Sequence, residues 1–196
     1  DWVGRCGVAL EPLVSRLHEL LLSEPILHAD ETPVSIMKNH VKVGGKSLKK
    51  GYVWAYLTPQ HSSLKAVVYD FAESRRNEHP KAFLDKWRGQ LVCDDYSGYK
   101  FLFHQGVTEI GCLAHARRKF HELHITGQSI VSIEALTLFR QLYAIEREID
   151  ERFEKNTPPI PRDPQIVRQI RQKKAKPIAD KLHQWVPEIR RLTAKN

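Results

Sequence analysis

The sequence predicts an α/β fold, a mixed sheet flanked by helices and followed by a helical extension. Three observations carry that prediction. Three runs of β-forming residues lie between residues 26 and 69 with short connections, strand-like and helical runs then alternate to about residue 123, and past Ser129 the apolar residues recur only at helical spacing.

The elements follow in order. Residues 8–23 read as a helix with Leu13, Leu17, Leu20 and Leu21 on one stripe, closed by Pro25. Ile26 to Ala29 forms a strand into Asp30, resuming through Val34-Ser35-Ile36. Tyr52–Leu57 and Leu64–Tyr69 are the next two strands, punctuated by Gly44-Gly45 and Thr58-Pro59-Gln60. Connections this short favour an antiparallel meander. A helix near His79–Trp87, a strand Gln90–Asp94, a short helix Gly98–His104, a strand Thr108–Cys112 and a helix Ala114–Leu123 complete the core. From Ser129 to Phe153, Ile133, Leu136, Phe139, Leu142, Tyr143, Ile145 and Ile149 keep a helical face, with packing expected through Leu136, Leu142, Tyr143 and Ile149. Thr157–Pro161 is a Pro-rich break. Beyond it lie a basic helix, Ile166–Lys176, and a segment Ile178–Leu192 interrupted by Pro187; residues from Pro158 onward are expected to be loosely anchored or to find a partner chain instead. The domain reading is a lead-in over 1–24, a core over 25–128 and a helical insertion over 129–196.

Composition narrows the function classes. Of 196 residues, 41% are hydrophobic and 28% charged, a globular balance. No run approaches the ~18 apolar residues of a membrane span. The first residues, Asp1-Trp2-Val3-Gly4-Arg5, lack the basic and apolar regions of a secretory signal. Three cysteines without such a signal suggest reduced thiols and a cytoplasmic location. The net charge of +8 favours a phosphate-rich partner.

Two acids stand at the ends of predicted strands: Asp30, in His28-Ala29-Asp30-Glu31-Thr32-Pro33, and Asp94, in Leu91-Val92-Cys93-Asp94-Asp95-Tyr96. Carboxylates on neighbouring strand ends can meet around Mg²⁺ or Mn²⁺, which prefer hard oxygen ligands. The alternative is a pair of solvated residues or helix caps. Alternation along a strand turns Glu31 away from Asp30 and Asp95 away from Asp94.

Cys112 and His115 have a separation zinc ligands use, but a structural zinc needs four ligands and no second Cys/His pair of usual spacing is present. The expectation is a largely buried Cys112 and no zinc. Arg117, Arg118 and Lys119 are consecutive, so on a helix part of their arc is exposed, as a phosphate contact or a solvated face. The C-terminal cations Arg168, Arg171, Lys173, Lys174 and Lys176 offer a second basic stretch.

Taken together and in order, these segments resemble the insertion sequence 66 transposase family from about Leu10 to Trp185. The matching motifs are the His28–Pro33 acidic motif, Gly51-Tyr52-Val53-Trp54, the turn Ser74-Arg75-Arg76-Asn77-Glu78-His79-Pro80, and Leu91–Tyr99. Cys112–Phe120 matches the family's Cys-x-Ala-His-Ala-Arg-Arg-Lys-Phe segment, and the helix around Tyr143-x-Ile145-Glu146 matches the one after it. The resemblance implies a ribonuclease-H-like fold and a Mg²⁺- or Mn²⁺-dependent DDE mechanism of DNA cleavage and strand transfer at element ends. It implies Asp30 and Asp94 as the first two catalytic, metal-binding acids. Arg75, Arg117, Arg118, Lys119, Arg168, Arg171, Lys173 and Lys174 are the candidate DNA contacts. A homo-oligomeric synaptic complex and a nucleoid-associated location are implied as well. Asp95 stands where the family usually has Gly. The family's third acid, a Glu, lies well downstream of the second, and no residue here matches it; Glu146, Glu148 and Glu188 agree only in type. The alternatives are a DNA-binding remnant without catalysis and a ribonuclease-H-like nuclease unrelated to transposition.

Overall fold

Alternating burial builds the sheet. Leu27 and Ala29 of β1 (Ile26–Ile36), Trp54 and Tyr56 of β2 (Lys49–Leu57) and Val68 and Ala72 of β3 (Val67–Ala72) are buried. So are Leu91 and Cys93 of β4 (Gln90–Cys93), which is followed by β5 (Thr108–Gly111). The computed structural model describes residues 1–36, 49–127, 129–155 and 160–193. It orders the sheet β3-β2-β1-β4-β5. The first three strands form the antiparallel meander, and β4 and β5 join parallel to β1. Helices α2 (Glu78–Leu84) and α3 (Lys100–His104) lie in the crossovers, as parallel pairing requires. The expected ribonuclease-H-like fold class is consistent with this mixed sheet and its flanking helices.

Three boundaries differ for local reasons. Helix α1 (Trp2–Leu22) starts at residue 2, capped by the Asp1 side chain, which accepts from the Val3 N–H at 3.1 Å. Only its C-terminal end packs: Leu21 is buried and Leu17 half-buried, whereas Leu13 and Leu20 are exposed. β1 does not pause after Asp30 but runs unbroken through Thr32 and Pro33, paired with β2. β4 ends at Cys93, so β1 is one-sided there and a proline is tolerated. β3 begins at Val67 rather than Leu64 because Thr58 captures the preceding turn. Its hydroxyl donates to the Leu64 carbonyl at 2.7 Å and accepts from the Ala66 N–H at 3.1 Å. The Gly44-Gly45 punctuation lies outside the described residues.

The chain divides into two compact units, Asp1–Cys112 and Leu113–Asn196. The core of the first gathers Leu21, Leu27, Trp54, Tyr56, Leu84, Leu91, Tyr99 and Leu102, with Phe83 stacked on Tyr56 at a 3.7 Å centroid separation. The second unit begins with α4 (Leu113–Gly127), whereas the sequence pattern alone extends the core to residue 128. Phe120 of α4 lies 6.0 Å from Phe139 of α5 (Ile130–Glu154), so α4 is half of a helical hairpin.

The buried face of α5 is Ala135, Leu138, Phe139, Ile145, Ile149 and Phe153. Of the residues expected to pack, Ile149 is buried, Leu136 and Leu142 are half-buried, and Tyr143 is exposed. Beyond the break, of which Thr157 to Pro159 lie outside the described residues, the chain is well anchored. Val167 of α6 (Pro164–Ile170) packs with Ile145, Ile149 and Phe153, joined by Ile166, Ile170, Ala175 and Ile178. The expectation of loose anchoring therefore fails: the distal helices fold back on α5. A π-helical turn, Arg171–Ala175, leads into α7 (Lys176–Thr193), which carries Pro187 inside it without ending there.

Candidate active site and basic groove

The first unit has a step in its sheet. β4 pairs with β1 only as far as His28 and Val92, and β1 continues to Ile36. Asp30 lies two residues beyond the last pair on β1, and Asp94 directly follows β4. Asp30 is exposed, and its Oδ1 accepts from the Glu31 N–H at 3.0 Å. Asp94, just past the strand, turns its Oδ1 onto the Tyr96 N–H at 3.0 Å and keeps 26% of its side chain exposed. Asp95 faces solvent, ion-paired with Lys100 at 2.7 Å.

Glu31 takes the opposite direction from Asp30, as strand alternation requires, and its side chain is 1% exposed. Three groups hold it there. Arg75 donates Nε to Oε1 at 2.7 Å and Nη2 to the same oxygen, and the Tyr99 hydroxyl donates to Oε2 at 2.8 Å. Burial is the largest influence on Glu31 and raises its pKa above the usual carboxylate range, against the pull of Arg75 and Tyr99. The Arg75 guanidinium lies 3.9 Å from the Tyr96 ring centroid and 3.9 Å from Asp94 Oδ2, and the Tyr96 hydroxyl donates to the Arg75 carbonyl. Gly98 makes this possible, since a Cβ there would sit 2.1 Å from the Tyr96 ring. Next to the site, burial pushes the Cys93 thiol up to about 12.

Arg75, named from sequence as a DNA contact, is thus engaged with carboxylates. Glu31, Tyr96 and Tyr99 are members of the same cluster that sequence reading did not single out as functional. The signal for Glu31 was present: an acid one position from Asp30 on a strand must face the core, and a buried acid needs partners.

The second unit holds a groove of about 740 Å³ between α4 and α5. Arg117, Arg118, His121 and His124 line it from α4, and Arg140, Tyr143 and Arg147 from α5. Spacings of three, four and seven place Arg117, His121 and His124 on one face of α4, with Arg118 beside it, and Arg140, Tyr143 and Arg147 on one face of α5. The two acids of the lining are already paired: Glu146 with Arg171 at 2.6 Å and Asp150 with Arg162. Among the described residues no ion pair is made by Arg117, Arg118 or Arg140. Lys119 points to Glu122 at 3.5 Å, and Lys174 pairs with Glu148 at 2.5 Å. Arg168 and Lys173 are exposed on the distal helices. Cys112 is half-buried rather than largely buried, because its neighbours Gly111 and Leu113 are exposed at the end of β5. Arg140 follows Phe139 and Arg147 lies between Glu146 and Glu148, so neither stands out as part of a basic run, although their seven-residue spacing marks one helix face.

Comparison with known proteins places these features in a family. The family described as "Transposase IS66 family" matches residues 1–196. Three uncharacterized proteins of Sinorhizobium fredii (strain NBRC 101917 / NGR234) are similar. The protein y4jD is 32% identical over 76% of this chain and 30% of its own length. The proteins y4hP and y4qI are each 26% identical over 100% of this chain and 36% of their own length. The chain thus spans about a third of the curated relatives it matches. With the family pattern matched along its whole length, the chain belongs to the IS66 family of transposases.

Proposed function

We propose that this chain supplies two carboxylates, Asp30 and Asp94, of a DDE transposase site that cuts DNA at element ends and joins them to target DNA. The reading is supported by the adjacency of β1 and β4, parallel strands paired as far as His28 and Val92, with Asp30 two residues further along β1 and Asp94 directly after the end of β4. The donor chemistry fits a hard divalent cation, Mg²⁺ or Mn²⁺. Asp30 is exposed, and the Asp94 turn leaves Oδ2 outside its hydrogen bond to Tyr96. When bound, such cations activate an attacking oxygen and stabilise a leaving one. In the first step a water oxygen bonds to phosphorus, the P–O3′ bond breaks and the 3′ oxygen takes a proton. In the second that 3′-hydroxyl attacks a target phosphodiester: a new P–O bond forms, the target P–O3′ bond breaks, and the proton lost by the attacking hydroxyl is balanced by the one taken up by the leaving 3′ oxygen. Asp30 and Asp94 would hold the cation through carboxylate oxygens, and no covalent bond to protein is needed. The resemblance implies a third carboxylate, a Glu, that no residue of this chain matches.

DNA is held by the α4–α5 groove, where Arg117, Arg118 and Arg140 present cations without acidic partners among the described residues. Bidentate guanidinium–phosphate contacts suit that arrangement. A synaptic complex of several copies is part of the same proposal.

The test uses a protein of the relatives' full length that contains this chain, Mg²⁺, and a duplex ending in the element's terminus. Nicking that leaves a 3′-hydroxyl is expected, with background levels for Asp30→Asn and Asp94→Asn and unchanged DNA binding. Full nicking by either variant would overturn the assignment.

A further inference from the structure

We propose that Glu31 is a positioning residue that holds the Arg75 guanidinium off Asp94, keeping Asp94 Oδ2 available to a divalent cation. The inference rests on the reading of Asp94 as a cation ligand.

Arg75 sits between two carboxylates and has chosen one. It gives both Nε and Nη2 to Glu31 Oε1, while Nη2 remains 3.9 Å from Asp94 Oδ2, beyond hydrogen-bond reach. The choice has a physical cause. The Glu31 side chain is almost fully buried and Asp94 is partly in water, so attraction to Glu31 is less screened. The Tyr99 hydroxyl fixes the far oxygen of Glu31, and the Tyr96 ring lies against the guanidinium. Asp94 Oδ1 is already taken by the Tyr96 N–H, so Oδ2 is where Arg75 and a metal ion would compete. A guanidinium released by Glu31 would find Asp94 as its nearest remaining carboxylate partner and would oppose cation binding both by occupying Oδ2 and by its charge.

The experiment is a Mn²⁺ titration of the chain, following the free-ion electron paramagnetic resonance signal, with melting temperatures recorded in parallel. The variants are Asp94→Asn, Glu31→Gln, Arg75→Gln and the double variant Glu31→Gln/Arg75→Gln. Glu31→Gln keeps the side-chain shape and is expected to weaken Mn²⁺ binding about fivefold, the factor that roughly 1 kcal/mol of charge competition represents. Removing the competitor as well is expected to restore affinity to within about twofold of wild type, although the double variant melts no higher than Glu31→Gln. A structural role alone would not produce rescue of binding without rescue of stability. Unchanged binding in Glu31→Gln, or a double variant as weak as the single, would overturn the proposal; the second result would make Glu31 a ligand or a scaffold. If Asp94→Asn binds Mn²⁺ as wild type does, the reading of Asp94 falls, and the role of Glu31 falls with it.

Discussion

The Tyr99 hydroxyl donates to Glu31 Oε2 at 2.8 Å, linking the first acidic motif to the turn that follows the second. Both groups are buried: Tyr99 is 0% exposed and the Glu31 side chain 1%. Tyr99→Phe keeps the ring and removes the donor, leaving a buried carboxylate oxygen short of one bond. The expected cost is about 1.5–3 kcal/mol of folding stability, read as a lowered midpoint in urea at unchanged slope. A midpoint equal to wild type would show that the hydroxyl contributes nothing to holding Glu31.

Gly98 has no room for a side chain, because a Cβ would meet Tyr96 Cε1 at 2.1 Å. Gly98→Ala must push the Tyr96 ring away from Arg75 and disturb the turn whose N–H caps Asp94. Overpacking of this kind costs about 1–3 kcal/mol. Thermal melting checks the magnitude, and a melting temperature within error of wild type would contradict the packing described.

Tyr56 stacks on Phe83, yet its hydroxyl is buried with no hydrogen-bond partner among the described residues. Tyr56→Phe is therefore expected to stabilise the fold, by about 1 kcal/mol or more, the cost of a stranded polar group. Burial, with Asp70 and Glu31 nearby, also raises the phenol's pKa well above its ordinary value. A raised pKa gives stability that is intact below the unfolded value, about 10, and lost as pH rises past it, because the unfolded chain releases the proton first. The advantage of Tyr56→Phe should therefore widen above about pH 10. Equal stabilities across that range would show the hydroxyl to be satisfied.

In the groove, Arg117→Ala, Arg118→Ala and Arg140→Ala should each weaken DNA binding and flatten the dependence of log K on log salt by about one unit, with little regard to sequence. Lys119→Ala and Arg171→Ala should change the slope less, since those cations already face Glu122 and Glu146. Fluorescence anisotropy over a salt series separates the two groups. Equal effects in both would mean that DNA does not enter this groove.

Much of the fold was legible because its signals are local. β-rich runs with short connections read as a meander, and periodic leucines and isoleucines read as helices. The errors came where a side chain outside the run decided the matter. Thr58 captures Leu64 and Ala66 and delays β3, and the early end of β4 lets β1 continue through Pro33. The distal helices were misjudged because their anchors are long-range: Val167 meets Ile145, Ile149 and Phe153, and Lys174 meets Glu148. At the candidate site the motifs marked Asp30 and Asp94, and alternation turned Glu31 inward. The convergence of Arg75, Tyr96 and Tyr99 on that acid could not be read, because it depends on a turn geometry that Gly98 permits.

We propose that Asp30 and Asp94 share a divalent cation. Paramagnetic broadening by substoichiometric Mn²⁺ in ¹⁵N-resolved spectra of the chain tests it most directly, since the effect falls steeply with distance from the ion. The expected result is that the amides of Asp30, Glu31, Asp94 and Asp95 broaden first, and that either Asp30→Asn or Asp94→Asn abolishes the pattern. Broadening centred away from these residues, or a pattern that survives both substitutions, would contradict the claim.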